Sequence, residues 1–176
     1  MRAVLPSLGK GAPEGGRAHA FDRWLYRGKR ANRLARLINA VSGRLAAAGI
    51  GPPQLVMLEV TGRRTGKKIS FPVVVVDHRG QRYLVSMLGD ETNWVRNVRA
   101  ADGRAVLRRG HRAHIHLAEV APGQRPAILR RYLDCSPGAR SHIPVGRGAP
   151  LEEFDRIAAQ YPVFQVTAPG APIRAG

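Results

Sequence analysis

Acidic residues are scarce in this sequence: 12 Asp+Glu stand against 29 Lys+Arg, a formal net charge of +17. Cysteine occurs once, aromatic side chains make up 6% of the chain, and no apolar run is longer than Val73–Val76. Each shortage excludes something. Cys135 alone closes no internal disulfide, which removes the disulfide-stapled secreted class and suits a reducing cytoplasm. No segment approaches the roughly 20 apolar residues of a membrane-spanning helix. The first stretch, residues 1–20, is interrupted by Pro and Gly and lacks a continuous apolar core, which argues against a cleaved signal peptide. With few aromatics and no strand alternating basic with aromatic residues, no nucleic-acid partner is expected. Hydrophobic residues still make up 44% of the 176, enough for one domain with a real core.

The basic excess is mostly arginine, 25 Arg to four Lys. It fits a compositional bias toward Arg, Ala and Gly, or an anionic partner such as an acidic membrane surface or a polyanionic small molecule; composition does not choose. Residues 1–20 read as a flexible arm and 21–51 as a basic amphipathic helix. In the latter Ala31, Leu34, Ile38, Val41 and Leu45 share one face, and Lys29, Arg33, Arg36 and Arg44 the other. Such a helix either docks on the core with its cationic face solvated or makes peripheral contact with an anionic membrane. Gly49, Gly51 and Pro52-Pro53 end it.

After Pro53 the period shortens. Strands are expected at Gln54–Val60, Ile69–Asp77, Gln81–Ser86, Arg104–Arg108, Arg112–Val120 and Pro162–Thr167, with Pro72 marking an edge or bulge. Short helices fit Thr92–Ala101, capped by Asp90 or Thr92, then Arg125–Asp134 and Leu151–Gln160. Six strands with peripheral helices imply an α+β fold, a small antiparallel β-barrel over 52–170, followed by a tail at 171–176.

Two stretches carry chemistry. Thr61–Lys68 places four cations, two glycines and two hydroxyls between strands; glycine permits φ > 0, so N–H groups can converge on an anion, and Arg offers a planar fork for phosphate or carboxylate. The spacing is not that of a Walker loop. Ser86–Gly89 followed by Asn93–Val98 leads from a strand end to a helix N-terminus, another source of exposed N–H donors. Nothing orders a Ser/His/Asp triad, His114 and His116 lack companions for a metal site, and no metal is expected.

Together TGRRTG at 61–66, Pro72, Ser86–Gly89 and NWVRNV at 93–98 resemble the deazaflavin (F-420)-dependent nitroreductase family, which belongs to the FMN-binding split-barrel superfamily. The resemblance implies that Arg63, Arg64, Thr65 and Gly66, with Lys67 or Lys68 where many members carry an Arg at the position of Ile69, hold the phosphate and acidic tail of the cofactor. It implies also that Ser86, Met87, Leu88, Asn93, Trp94 and Asn97, with Pro72, surround the deazaflavin ring. Tyr132 is the candidate proton donor, the alternative being a core tyrosine. The implied activity is hydride transfer to a small organic acceptor: a quinone, enone or nitro compound. The alternatives are an FMN-dependent reductase on the same barrel, and a non-catalytic cofactor carrier or anionic-surface module. Monomer and homodimer both fit, and the expected location is the cytoplasm, with or without peripheral membrane contact.

Overall fold

The computed structural model describes residues 52–169. The arm, basic helix and tail expected at 1–20, 21–51 and 171–176 lie outside them. Six antiparallel strands close a barrel in the order β1-β2-β3-β6-β5-β4. They are β1 (Leu55–Thr61), β2 (Lys68–His78), β3 (Gln81–Val85), β4 (Arg104–Arg109), β5 (His111–Glu119) and β6 (Val163–Thr167). Among the described residues three α-helices accompany them: α1 (Asn93–Ala100), α2 (Pro126–Cys135) and α3 (Leu151–Ile157). The expected α+β split barrel is the fold observed.

Three local expectations change. The last helix yields to a 3-10 turn over Ala158–Gln160. The β4–β5 turn shrinks to Gly110, because Arg109 already pairs with His111. Thr92 occupies the N-cap of α1 without a capping hydrogen bond, and Asp90 instead pairs with Arg99.

Alternation sets the two sides of the sheet. Val56, Leu58 and Val60 of β1 point inward with Leu107, Ile115 and Leu117, and Val95 and Val98 of α1 join this core. On the outside of β2, β3 and β6, Val76, Val85 and Val163 are covered by Leu129 and Leu133 of α2 and Phe154 of α3. The helices thus clad the barrel on that side. The outward residues Arg104, Arg108, Arg112 and His114 of β4 and β5 are exposed.

The long β2 is shared. Residues 68–74 pair with β1 alone, while 75–78 pair with β3. Upstream of Val75 the second edge of β2 is open, and this is where Pro72 sits. The Val75 N–H donates to the Gln54 carbonyl on the β1 side at 2.8 Å. By alternation the even-numbered residues face the open edge, so the N–H that proline lacks costs no ladder bond.

Gly103, between α1 and β4, has φ +71°, and a Cβ there would lie 2.6 Å from His116 Nε2 and 2.7 Å from the Leu117 carbonyl. Its own carbonyl accepts the Leu117 N–H at 2.9 Å, so the backbone cannot simply retreat. Gly103→Ala should lower stability by about 2–3 kcal/mol, read as a shifted urea midpoint at unchanged slope.

Candidate functional site

The divergence of β2 from β3 opens a groove bounded by the free β2 edge and the Ser86–Thr92 loop. It has two lobes that share Phe71, Leu88, Thr92 and Trp94. The first, about 430 Å³, is walled by Leu55, Pro72, Val74 and Met87, with Tyr132 and Ser136 from the α2 side. The second, about 730 Å³, runs past Ile69 to Asn93, Arg96 and Asn97 at the start of α1. Leu88 is 54% exposed and Ile69 42%, large apolar side chains left facing water on the groove rather than in the core.

Trp94 is wall and anchor at once. Its ring lies 5.4 Å from Phe164 and 6.4 Å from Phe71, tilted against both, which fixes the face it presents to the groove.

The basic turn folds onto α1. Arg63 donates its backbone N–H to Asn97 Oδ1 at 3.2 Å and its Nη1 to the same oxygen at 3.0 Å. The guanidinium also reaches Asn93 Oδ1 at 3.4 and 3.5 Å. Asn93 and Asn97 stand one helical turn apart, hence on one face, and Asn97 is buried. Arg63 is therefore a clasp between turn and helix.

Within the turn, Gly62 N–H donates to the Lys67 carbonyl at 2.8 Å, Gly66 N–H to the Gly62 carbonyl at 2.8 Å, and Lys67 N–H to Thr65 Oγ1 at 3.3 Å. Gly66 takes φ +66°, the conformation that lets the turn close. These internal bonds occupy most of the amides that the sequence offered as an anion nest. What the turn presents outward is side-chain charge. Arg64, Lys67 and Lys68 are exposed and have no carboxylate partner among the described residues.

Ser86 departs from expectation most clearly. It is 1% exposed and does not line the groove. Its Oγ donates to the Gly89 carbonyl at 2.8 Å and lies 3.0 Å from Thr92 Oγ1, which itself donates to Gly89 at 3.2 Å. The two hydroxyls hold the loop so that Met87 and Leu88 face the groove. With Thr92 so engaged, the first-turn N–H groups of α1 have no side-chain cap.

A charged chain braces this loop from behind. Arg99 donates to both Glu119 oxygens at 2.7 and 2.8 Å and to Asp90 at 2.6 Å. Buried Arg125 donates to Glu119 at 3.2 Å and to the Val120 and Ala158 carbonyls at 2.7 and 3.0 Å. The hydrogen bond from Arg99 holds the Asp90 carboxyl below its ordinary value of 3.8. Its share of stability is therefore complete above that value and lost as the pH falls through the lowered one. Acidification below 3.8 should loosen the loop, visible as lower amide protection factors at Gly89–Thr92 once the intrinsic exchange rate at each pH is divided out.

Of the residues expected at the site, Pro72, Met87, Leu88, Asn93, Trp94, Asn97 and Tyr132 line the groove. Leu55, Phe71, Ile69 and Arg96 were not foreseen as walls, since hydrophobicity alone does not tell a lining residue from a core one. Among the described residues no group of three His, Cys, Asp or Glu side chains gathers to hold a metal, and no helix is long and apolar enough to cross a membrane.

Among curated proteins none matches the sequence. A protein of unknown function from Agrobacterium tumefaciens shares the fold, with 11% identity and a TM-score of 0.50 over 94% of this chain and 60% of that one. An F-420-H2 dependent reductase is 22% identical over 64% of this chain and 93% of its own, with a TM-score of 0.43. A conserved hypothetical protein from Mycobacterium tuberculosis is 12% identical over 74% and 88%, with a TM-score of 0.45. Residues 30–141 match the family model of the F-420H(2)-dependent quinone reductases, well over half of the sequence. The chain belongs to that family and is a deazaflavin-dependent oxidoreductase.

Proposed function

We propose that the two-lobed groove is where reduced deazaflavin and a small apolar quinone meet, with the cofactor tail toward the basic turn and the acceptor in the first lobe. The observation that carries this reading is the polarity of one continuous groove. One end is apolar and large enough for a ring; at the other stand the uncapped start of α1 and, clasped to it through Arg63, a turn bearing Arg64, Lys67 and Lys68. A planar ring with a polyanionic tail fits both halves. When bound, the cofactor supplies the hydride; the barrel binds, orients and excludes water.

Each residue then has a task. Arg64, Lys67 and Lys68 attract and hold phosphate and carboxylates, and Arg63, Asn93 and Asn97 keep that turn against α1. Thr65 and Gly66 shape the turn, as Ser86 and Thr92 shape the loop. Leu88, Met87, Pro72 and Trp94 enclose the rings. Tyr132, 4% exposed on α2, lines the acceptor lobe and is the proposed proton donor to the reduced acceptor. A quinone suits that lobe better than a nitro compound, because its described walls are aliphatic and aromatic with hydroxyls only from Tyr132, Ser136 and Thr92.

The test follows reduced-cofactor absorbance against a panel of quinones, enones and nitro compounds, with deazaflavin and FMN titrated in parallel. Quinones should be the fastest acceptors, and deazaflavin should bind more tightly than FMN, with steeper salt dependence. Oxidation of the bound cofactor by none of the panel would leave the carrier reading instead. Tyr132→Phe should lower kcat on the order of a hundredfold if the hydroxyl gives its proton in the slow step, with cofactor affinity unchanged. An unaltered kcat removes Tyr132 from the chemistry.

A further inference from the structure

The strand register puts Arg112, Arg108, Met57 and Pro72 in a single row across β5, β4, β1 and β2, on the outer face of the barrel. The neighbouring row is His114, Val106, Glu59 and Ser70. Pro72 is a wall of the acceptor lobe, and so is Leu55, which lies outward on β1 beside Met57. A cationic sheet face therefore begins two strand spacings, about 10 Å, from the acceptor lobe and on its side of the barrel.

That face is arranged against its own stability. Arg108 and Arg112 stand directly opposite each other, a like-charge cross-strand pair. Glu59 relieves one of them, accepting from Arg112 Nη2 at 2.6 Å. Arg104 and Arg108 are exposed, and neither has an acidic partner among the described residues. Val106 lies between Arg104 and Arg108 along β4 and Met57 lies beside Arg108 on β1, both half-buried.

We propose that this face docks on an anionic lipid surface and so sets the acceptor lobe at the bilayer, where an apolar quinone is dissolved. Charge complementarity supplies the attraction, and apolar side chains set among arginines suit a headgroup boundary. A single-stranded nucleic acid would ask for stacking Phe, Tyr or Trp, and the two rows contain none; half-buried Met57 and Val106 suit a lipid boundary rather than the phosphates of a duplex. The purpose of this docking rests on the quinone reading above; its measurement does not.

The experiment uses the full chain and Arg104→Gln/Arg108→Gln, neither residue being part of the groove. Sedimentation is measured with phosphatidylglycerol-containing vesicles, with phosphatidylcholine vesicles, and with a short DNA duplex in a parallel arm. The full chain should bind the anionic vesicles and not the neutral ones. The double variant should bind them about 25-fold more weakly, at roughly fivefold per arginine. Turnover with a soluble short-chain quinone should be unchanged in the variant, while turnover with a long-chain quinone embedded in the vesicles should fall. Equal vesicle binding by the two proteins would overturn the proposal, as would weakened binding to duplex alone. Weakened vesicle binding in a protein that reduces no quinone would uphold the docking face and refute the acceptor reading.

Discussion

Arg125→Ala should cost the fold about 3–5 kcal/mol, the range for breaking a buried charged cluster. Arg125 is 4% exposed, and its fork joins the Val120, Ala158 and Tyr161 carbonyls to the Glu119 carboxylate. Truncation removes the guanidinium donor from these carbonyls and from Glu119 at an almost fully buried position. Burial pulls the arginine's pKa down while Glu119 opposes it; a guanidinium stays protonated in proteins. The bonds converge where β5, α2 and β6 meet, so the damage extends to the helix carrying Tyr132. Urea denaturation should show the lower midpoint. Arg125→Lys should recover little, since an ammonium cannot span the same acceptors. A loss below about 1 kcal/mol would mean that the cluster is solvated in solution.

The second large effect is expected at the basic turn. Changing Arg64, Lys67 and Lys68 together to Gln should weaken deazaflavin binding on the order of a thousandfold, at about 1.5 kcal/mol per charge-assisted contact. The low end of that range applies because all three side chains are exposed. The salt dependence should flatten in parallel, since fewer counterions are displaced. Stability should barely move, as none of the three is paired within the described fold. Arg63→Ala should behave differently, lowering affinity and stability together, because its bonds run to Asn93 and Asn97. Equal affinity for wild type and the triple variant at low salt would take the tail away from this turn.

These two cases mark how far the sequence could be read. The strands and helices were legible because period two and period 3.6 alternate cleanly after Pro53, and Pro72 announced the open edge that makes the groove. The NWVRNV stretch supplies Asn93, Trp94, Arg96 and Asn97 to the groove wall, and TGRRTG forms the basic turn clasped to it. What the sequence withheld was the direction in which each side chain is used. Arg63 and Arg64 are adjacent and chemically identical, yet one clasps α1 and the other faces solvent, a difference set by contact with Asn97, 34 residues away. Ser86 carried the signal of a ring-contacting hydroxyl but is turned into its own loop by the carbonyl of Gly89. Arg125 was read only as the start of a helix, and its burial follows from packing between elements distant in the chain. The cationic outer face needed the register before Arg108 and Pro72 could be seen in one row.

In the proposed reading deazaflavin occupies the groove between the β2 edge and α1, tail toward the basic turn. Amide hydrogen exchange of the full protein, with and without saturating deazaflavin, tests it most directly. Slower exchange should appear at Gly62–Phe71 and Met87–Asn97, with little change in the β4–β5 hairpin. Protection confined to that hairpin, or to the far end of the barrel around Arg82 and His111, would contradict it.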